Sequence, residues 1–439
     1  MIIEAAEGSA LPLAGRTVGL KVLLTGGRAP VALELARLLA AAGCEVHVAE
    51  SLHYHLCRVS KAVTRSHAVP SPAADAEGFV AALERIVRRE QIDWLIPTCE
   101  ELFYVASGLP RLSQVCRVLA APIEQLVRLH SKHAFIRRVE ELGFPVPRTR
   151  LLASPSEWRQ LTHLWTASGS GAEKAADLWP EGCVLKPEFS RSGSKVRFVG
   201  RPSAAGRARK AGGPPGQRTE RTHTGLPVLD EDRYPWVAQQ YIAGRGLCTY
   251  SIVHEGKLTA YAAYAVEYSL PSGACVYFES LNHPALKHWV ERFAALEKFT
   301  GQLAFDFIET AGGELYPIEC NPRATSGIHL FGSQDGLAAA LLDPQSLGDT
   351  IAEPHPGARR MLALPMLAAS RKGSATAGGL GAWLRKFATA NDAVYRRDDP
   401  RPFWEQLLLL NELRRIAARS GRTLLEASTC DIEWNGGTR

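Results

Sequence analysis

The sequence has no apolar run that approaches the roughly 18 residues needed to span a membrane. Its first residues, MIIEAAEGSALPLAG, are acidic and have neither the basic start nor the apolar core of a signal peptide. The nine cysteines are scattered without a C-x-x-C pair, which is typical of reduced thiols rather than of a disulfide framework. The sequence therefore predicts a cytoplasmic protein that does not span a membrane.

The net charge is +6, but the sequence favours a solvated basic loop over a nucleic-acid surface, with RNA binding as the weaker alternative. Much of this charge comes from residues 201–223, where six Arg or Lys residues stand against the single acid Glu220. No aromatic residues are interleaved with these charges, so the stacking groups of a single-strand binding surface are absent. The surrounding segment 200–233 is rich in Gly, Pro, Ser and Arg, and we interpret it as a mobile, solvated insertion.

The first part of the chain has the pattern of an α/β fold. Its 439 residues are enough for about two to four domains. Apolar runs alternate with amphipathic stretches, which predicts a parallel sheet with right-handed crossovers. The predicted strands are Lys21–Thr25, Cys44–Ala49 and Ile92–Pro97, and the predicted helices are Val31–Ala42 and Gly78–Glu90.

The first strand and the turn after it also suggest a dinucleotide-binding site. Thr25-Gly26-Gly27 follows the first strand, and Glu50 stands at about the distance of a ribose-binding acid. The full G-x-G-x-x-G pattern is missing, however, and an acid after a strand is common. An NAD(P)-dependent oxidoreductase is therefore kept only as a rival hypothesis.

The candidate catalytic and metal-binding residues lie in the second half of the chain, in and after two apolar-rich runs that predict a β-hairpin. Leu303–Ile308 and Leu315–Cys320 flank Ala311-Gly312-Gly313, whose glycines permit a tight turn. Centring the hairpin on that turn places Asp306 opposite Glu319. Like charges in that arrangement destabilise a sheet unless something neutralises them.

Asn321 follows Glu319 by two residues, so both side chains lie on the same face of the strand. Two carboxylates and an amide oxygen form a set of hard ligands that suits Mg²⁺. Arg323 comes next, where its guanidinium is placed to stabilise a phosphoryl group in transfer. For either acid alone, an ion pair with a distant lysine is an equally good explanation.

The string FDFIE…GELYPIECNPR resembles the metal-binding signature of the ATP-grasp superfamily, closest to its carbamoyl-phosphate-synthase-like and biotin-carboxylase-like members. This resemblance implies an α/β and α+β architecture, in which a Rossmann-like pre-ATP-grasp domain precedes a two-lobed ATP-grasp fold and a C-terminal extension. The implied divisions are the first domain at 1–125, the first lobe and lid at 126–240 with the mobile basic insertion 200–233, the second lobe with the metal site at 241–336, and a helical extension at 337–439.

The resemblance also implies nucleotide-binding residues. SKHAF…LGFPVPRT, in a region where Leu126–Leu142 is predicted to be helical, is similar to the entry to the ATP-grasp fold, and it makes Lys132 a phosphate ligand. Lys186 matches the second phosphate-binding lysine, and the small-residue loop with Ser192, Gly193 and Ser194 resembles the one that covers the phosphates, unless it is an ordinary hairpin turn. Gln239, Gln240, Tyr241 and Ile242 resemble the segment that contacts adenine, and Gly246 replaces the usual ribose ligand.

Several other residues remain open at this stage. Glu100 and Glu101 follow a strand, and they either edge a substrate cleft or are solvated acids. His329 is either a proton-transfer group or a structural histidine. Residues 337–439 either pack against the lobes or form a homodimer contact, and Asp431, Glu433 and Trp434 match no motif.

The resemblance implies that the protein is an ATP-dependent carboxylate–amine ligase with Mg²⁺ (or Mn²⁺) as its metal. Its substrates would be a small acid and an amine, joined through an acyl phosphate with release of ADP and phosphate. Phosphorylation of an enol or vinylogous acid before amine addition, in the manner of mycosporine-type ligases, is the nearest alternative. An inactive nucleotide-binding regulatory protein is an alternative of another class.

Overall fold

The computed structural model describes residues 17–166, 179, 181–190, 196–199, 229, 234–270, 273–370 and 379–436. The predicted phosphate-covering residues Ser192, Gly193 and Ser194 lie outside these ranges, as does most of segment 200–233. Within the described ranges, no helix combines the length and apolar character needed to cross a bilayer. The domain boundaries given above stay a prediction.

The N-terminal part contains the predicted parallel sheet, with strand order β3-β2-β1-β4-β5. Val22, Leu23 and Leu24 on the central strand are fully buried, because helices cover both faces of the sheet. The elements are β1 Lys21–Thr25, α1 Pro30–Ala41, β2 Glu45–Glu50, β3 Arg65–Ala68, α2 Ala76–Glu90, β4 Trp94–Ile96, α3 Leu102–Ser107, α4 Leu109–Leu112 and β5 Arg117–Val118.

The end of β2 argues against a dinucleotide site. Glu50 is 4% exposed, and its carboxylate accepts hydrogen bonds from the backbone N–H and the guanidinium of Arg28. The Arg28 charge and these hydrogen bonds outweigh burial, and they hold the pKa of Glu50 at about 2. This carboxylate is therefore already committed to an ion pair within the protein.

A second sheet, with strand order β6-β9-β7-β8, follows two helices. The single helix predicted over Leu126–Leu142 is wrong, because the chain breaks at Ser131, which has an extended backbone (ψ 117°). The Ser131 side chain accepts a hydrogen bond from the Ala134 N–H and so caps the second helix. The elements are α5 Ile123–His130, α6 Lys132–Glu141, β6 Thr149–Leu152, α7 Pro155–Thr166, β7 Cys183–Pro187, β8 Arg197–Val199 and β9 Trp236–Gln240.

The third sheet is antiparallel, has strand order β11-β10-β13-β14, and contains the predicted hairpin. Alternate residues of β13, among them Phe305 and Phe307, pack with Trp289 and Phe293 of α8 in one aromatic core. The elements are β10 Arg245–His254, β11 Lys257–Ala265, β12 Tyr277–Glu279, α8 Pro284–Glu297, β13 Gly301–Glu309 and β14 Leu315–Asn321.

The C-terminal residues are mainly helical, but they also contribute two short strands that extend β12 into a sheet of order β12-β15-β16. Most of the large apolar side chains that are exposed in the described residues lie between Leu364 and Leu425, Trp404 among them. This distribution is compatible with the homodimer contact, which stays a prediction. The elements are α9 Leu337–Leu342, β15 Arg359–Met361, α10 Ala363–Ser370, α11 Gly379–Thr389, β16 Asn391–Asp392, α12 Arg401–Ser420 and α13 Leu424–Ala427.

Candidate functional site

The hairpin has the register that the sequence predicts. Asp306 on β13 pairs with Glu319 on β14, and a bulge follows between Asp306 and Phe307. Gly313 has a φ of +82°, which allows the tight return of the chain. Because neighbouring residues point to opposite faces, the face that carries Asp306 is opposite the one that packs Phe305 into the core.

The two carboxyl groups experience different electrostatic environments. Burial, together with the nearby charge of Glu319, raises the pKa of Asp306 to about 6. Burial also acts to raise the pKa of Glu319, but the positive charges of Lys132 and Lys186 outweigh it and lower that pKa. A divalent cation between the carboxylates would remove the repulsion that Asp306 experiences.

The ligand set fits a hard divalent cation through its oxygen donors. Asn321 is 8% exposed, and it follows Glu319 on the same strand. In the described part of the chain, no group of three or more His, Cys, Asp or Glu residues is arranged to hold a metal by itself. A cation held by two carboxylates and one amide would therefore take further oxygens from a ligand, as Mg²⁺ commonly does with phosphates.

Lys132 is the first residue of α6, and only 3% of it is exposed. Its ammonium donates to the Ser190 carbonyl at 3.0 Å and to the Ser190 hydroxyl at 3.3 Å. The same ammonium lies 3.6 Å from the Glu319 carboxylate. The cap at Ser131 thus places this lysine between the second sheet and the hairpin.

Lys186 lies on β7 of the second sheet, and its ammonium also contacts the hairpin. It is 5% exposed, and its ammonium donates to the Ile318 carbonyl at 2.8 Å. Burial lowers the pKa of Lys186 to about 8, although the charge of Glu319 acts in the opposite direction. The lysine is therefore a buried cation whose charge an anionic ligand would stabilise.

Arg323 completes the cluster at the end of the hairpin. Its guanidinium donates to the Asn321 side-chain oxygen at 3.0 Å and to the Ala324 carbonyl at 3.2 Å. Its Nε lies 3.9 Å from the carboxylate of Glu100, whose side chain is 1% exposed. The structure thus brings the carboxyl edge of the N-terminal sheet to the hairpin, as the substrate-cleft hypothesis for Glu100 requires.

Glu101, unlike Glu100, has its carboxylate hydrogen-bonded to nearby residues of the N-terminal sheet and its loops. Its carboxylate accepts from the Thr25 hydroxyl at 2.6 Å and from the backbone N–H groups of Thr98 and Cys99. His329 is 1% exposed and contacts Glu34 on α1 at 3.5 Å. For His329 the structural interpretation is therefore favoured over proton transfer.

The predicted adenine segment lies at the end of β9, where regular pairing stops at Gln240. Gln239 is 2% exposed, and its side chain donates to the Thr149 hydroxyl at 3.2 Å. Tyr241 and Ile242 continue the chain as half-buried residues, and the Tyr241 N–H donates to the Gly182 carbonyl. Gly246, which stands where the resemblance would place a ribose ligand, pairs with Ile308 on β13 and therefore borders the hairpin.

Sequence reasoning missed Cys248, which pairs with Asp306 across β10 and β13. Its thiol is a neighbour of the Asp306 carboxylate and acts to lower the pKa of Asp306. It also missed the contacts of Lys132 with the Glu188–Ser190 turn. Only the register between distant strands could have identified the thiol, since no local motif marks it.

No family model matches the chain, and no curated protein matches it by sequence. Among solved structures, it is similar to N5-carboxyaminoimidazole synthetase from Staphylococcus aureus complexed with ADP, with a TM-score of 0.51, 11% identity, and coverage of 80% of this chain and 82% of that chain.

Two further similar structures carry nucleotides. One is the biotin carboxylase domain of the Hydrogenobacter thermophilus 2-oxoglutarate carboxylase, a dimer with MgADP, ADP and bicarbonate, with a TM-score of 0.51, 12% identity, and coverage of 73% and 70%. The other is carboxyaminoimidazole ribonucleotide synthase from Aspergillus clavatus complexed with ATP, with a TM-score of 0.50, 13% identity, and coverage of 77% and 80%. All three neighbours are ATP-grasp enzymes. The chain has the ATP-grasp fold, and the prediction of that fold is confirmed.

Proposed function

We propose that this protein is an ATP-dependent ligase that joins a small acid to an amine. The observation that carries the proposal is the cross-strand pair Asp306 and Glu319, with three cations, Lys132, Lys186 and Arg323, gathered around it. Such a set of charges suits the binding of a metal–triphosphate complex. The ATP-grasp neighbours, solved with ADP, MgADP and ATP, support the same ligand.

Asp306, Glu319 and Asn321 would hold the metal, Mg²⁺ or Mn²⁺, because all three offer hard oxygen donors on one face of the hairpin. When bound, that ion would neutralise charge on the phosphate oxygens. Lys132 and Lys186 would bind the phosphates through their buried ammonium groups. Gln239 to Ile242 would contact adenine, and Ser192, Gly193 and Ser194 would cover the phosphates.

The proposed reaction has two steps. An oxygen of the acid attacks the γ-phosphorus, and the bond to the β-phosphate oxygen breaks, which gives an acyl phosphate and ADP. The amine then attacks the acyl carbon, the C–O bond to phosphate breaks, and the nitrogen loses a proton. Arg323, whose guanidinium donates to the Asn321 side-chain oxygen, would stabilise charge on the transferred group, and no protein nucleophile is needed.

Glu100 supports a location for the small-molecule substrates. Its buried carboxylate lies beside Arg323, where the N-terminal sheet meets the hairpin. A carboxylate next to a guanidinium offers one group for an amine and one for an acid. We place the activity in the cytoplasm because the cysteine pattern indicates reduced thiols.

The test is a panel of acid and amine pairs, in which ADP release is followed and the product mass is recorded. The expected result is Mg²⁺-dependent ADP release that requires both substrates, with a product whose mass equals acid plus amine minus water. Tight ATP binding without turnover on any pair would favour the inactive regulatory protein. Nicotinamide nucleotide binding without a need for magnesium would overturn the proposal.

A further inference from the structure

The last described residues of the chain, Thr429–Gly436, form a tail segment that is fastened to the N-terminal sheet. Asp431 accepts from both terminal nitrogens of the Arg28 guanidinium, each at 2.6 Å, and from the Ser51 hydroxyl at 2.6 Å. Its backbone carbonyl accepts from the Ala73 N–H at 3.0 Å. Arg28 is itself held by Glu50, so the tail segment is tied to the ends of both β1 and β2 by a charged, two-pronged contact.

Three residues beyond this anchor, Trp434 is 6% exposed and inserts between two phenylalanines. Its ring stacks on Phe103 with centroids 4.8 Å apart, and it meets Phe189 edge-on at 5.4 Å. The backbone of Gly436 lies directly on the Phe189 ring, since a Cβ built there would come within 2.7 Å of it. The tail segment therefore covers Phe189 from the side of the N-terminal sheet.

Phe189 is the middle residue of the turn that holds Lys132. The residues on either side of it, Glu188 and Ser190, provide carbonyl acceptors for the Lys132 ammonium at 3.4 Å and 3.0 Å. The His130 ring also packs against Phe189, with ring centroids 5.9 Å apart. A continuous line of packed groups thus connects Trp434 with the ammonium of a predicted phosphate ligand.

We infer that the tail segment positions this ligand: Trp434, anchored through Asp431, fixes the Glu188–Ser190 turn and thereby the Lys132 ammonium next to Glu319. This inference rests on the proposed function, in which Lys132 binds a nucleotide phosphate. Trp434 is a positioning residue, because it acts through Phe189 and the turn. Asp431 and Trp434, which match no sequence motif, thus acquire a role as anchor and positioning residue.

The experiment measures MgATP affinity by calorimetry in the full-length chain. Trp434→Ala should weaken MgATP binding about tenfold or more, because the turn loses its packing partner, while Trp434→Phe should restore affinity to within about threefold. Trp404→Ala is the matched control, since Trp404 lies on α12 and is 62% exposed. That control should bind MgATP as the unmodified protein does.

A double-mutant cycle separates positioning from a general structural role. In a Lys132→Met background, Trp434→Ala should cost little further affinity, because the group that it positions is gone. An equal loss in both backgrounds, or unchanged affinity in folded Trp434→Ala, overturns the inference. If the alanine variant does not fold, Asp431→Asn takes its place, and unchanged MgATP affinity in that variant overturns the inference. An unmodified protein that binds no MgATP contradicts the proposed function instead.

Discussion

Asp306 and Glu319 lie directly opposite each other on neighbouring strands, and their surroundings shift their pKa values in opposite directions. Burial and the charge of Glu319 raise the pKa of Asp306 to about 6, whereas nearby lysines lower that of Glu319. The protein alone therefore stabilises the ionised form of Glu319 but not that of Asp306. A bound cation would stabilise both carboxylates in their ionised form.

Replacing Glu319 with Gln should abolish Mg²⁺-dependent ADP formation, a loss of at least about a hundredfold, because one of the two charged ligands is lost. The fold should persist, since Gln has the same shape and the repulsion with Asp306 is removed. Steady-state ADP release and the thermal unfolding midpoint measure the two effects. Glu314→Gln, an exposed position on the same hairpin, is the control, and undiminished turnover in Glu319→Gln would remove the metal assignment.

MgATP binding should be linked to protonation of Lys186. Burial lowers the pKa of this lysine to about 8, so near pH 8 about half of the free protein carries it neutral. A triphosphate raises the pKa of the lysine, so binding should take up about half a proton at pH 8, and affinity should fall as the pH rises further. Calorimetry in buffers of different ionisation enthalpy detects this uptake. Lys186→Arg should lack it, and equal uptake in that variant would rule out Lys186 as its source.

His55 should make the fold acid-sensitive. Burial lowers the pKa of this histidine from its usual 6.5 to about 4. A lowered folded-state pKa gives stability that is present above pH 6.5 and is lost as the pH falls toward 4, in total about 3 kcal/mol. Between pH 7 and pH 5, the free energy of unfolding should therefore fall by about 2 kcal/mol more than in His55→Gln. Urea unfolding measures this, with the exposed His53→Gln as control, which should behave as the unmodified protein does.

Deleting Arg201–His223 should leave basal turnover largely unchanged. The basis is compositional, since this basic segment has few large apolar side chains that could pack against a folded core. Acid- and amine-dependent ADP release in the deleted protein checks the expectation. A collapse of kcat with the fold retained would show instead that the segment takes part in the reaction.

The hairpin shows how far local sequence reasoning reaches. The turn glycines and the two apolar-rich runs Leu303–Ile308 and Leu315–Cys320 specify both strands, and counting outward from the turn pairs Asp306 with Glu319. The break at Ser131 was missed, because the helical periodicity continues across it. A capping serine inside a periodic stretch was the available signal.

What the sequence determined by itself is the hairpin with its register and the first strands and helices of the parallel sheet, because side-chain periodicity and turn geometry act over a few residues. Only the tertiary structure decided which distant groups meet there. Lys132, Lys186 and Glu100 come from different parts of the chain, and their approach depends on how the sheets pack. The contact between Trp434 and Phe189 also joins distant parts of the chain. Hydrophobic burial favours this contact, but it requires no particular sequence motif.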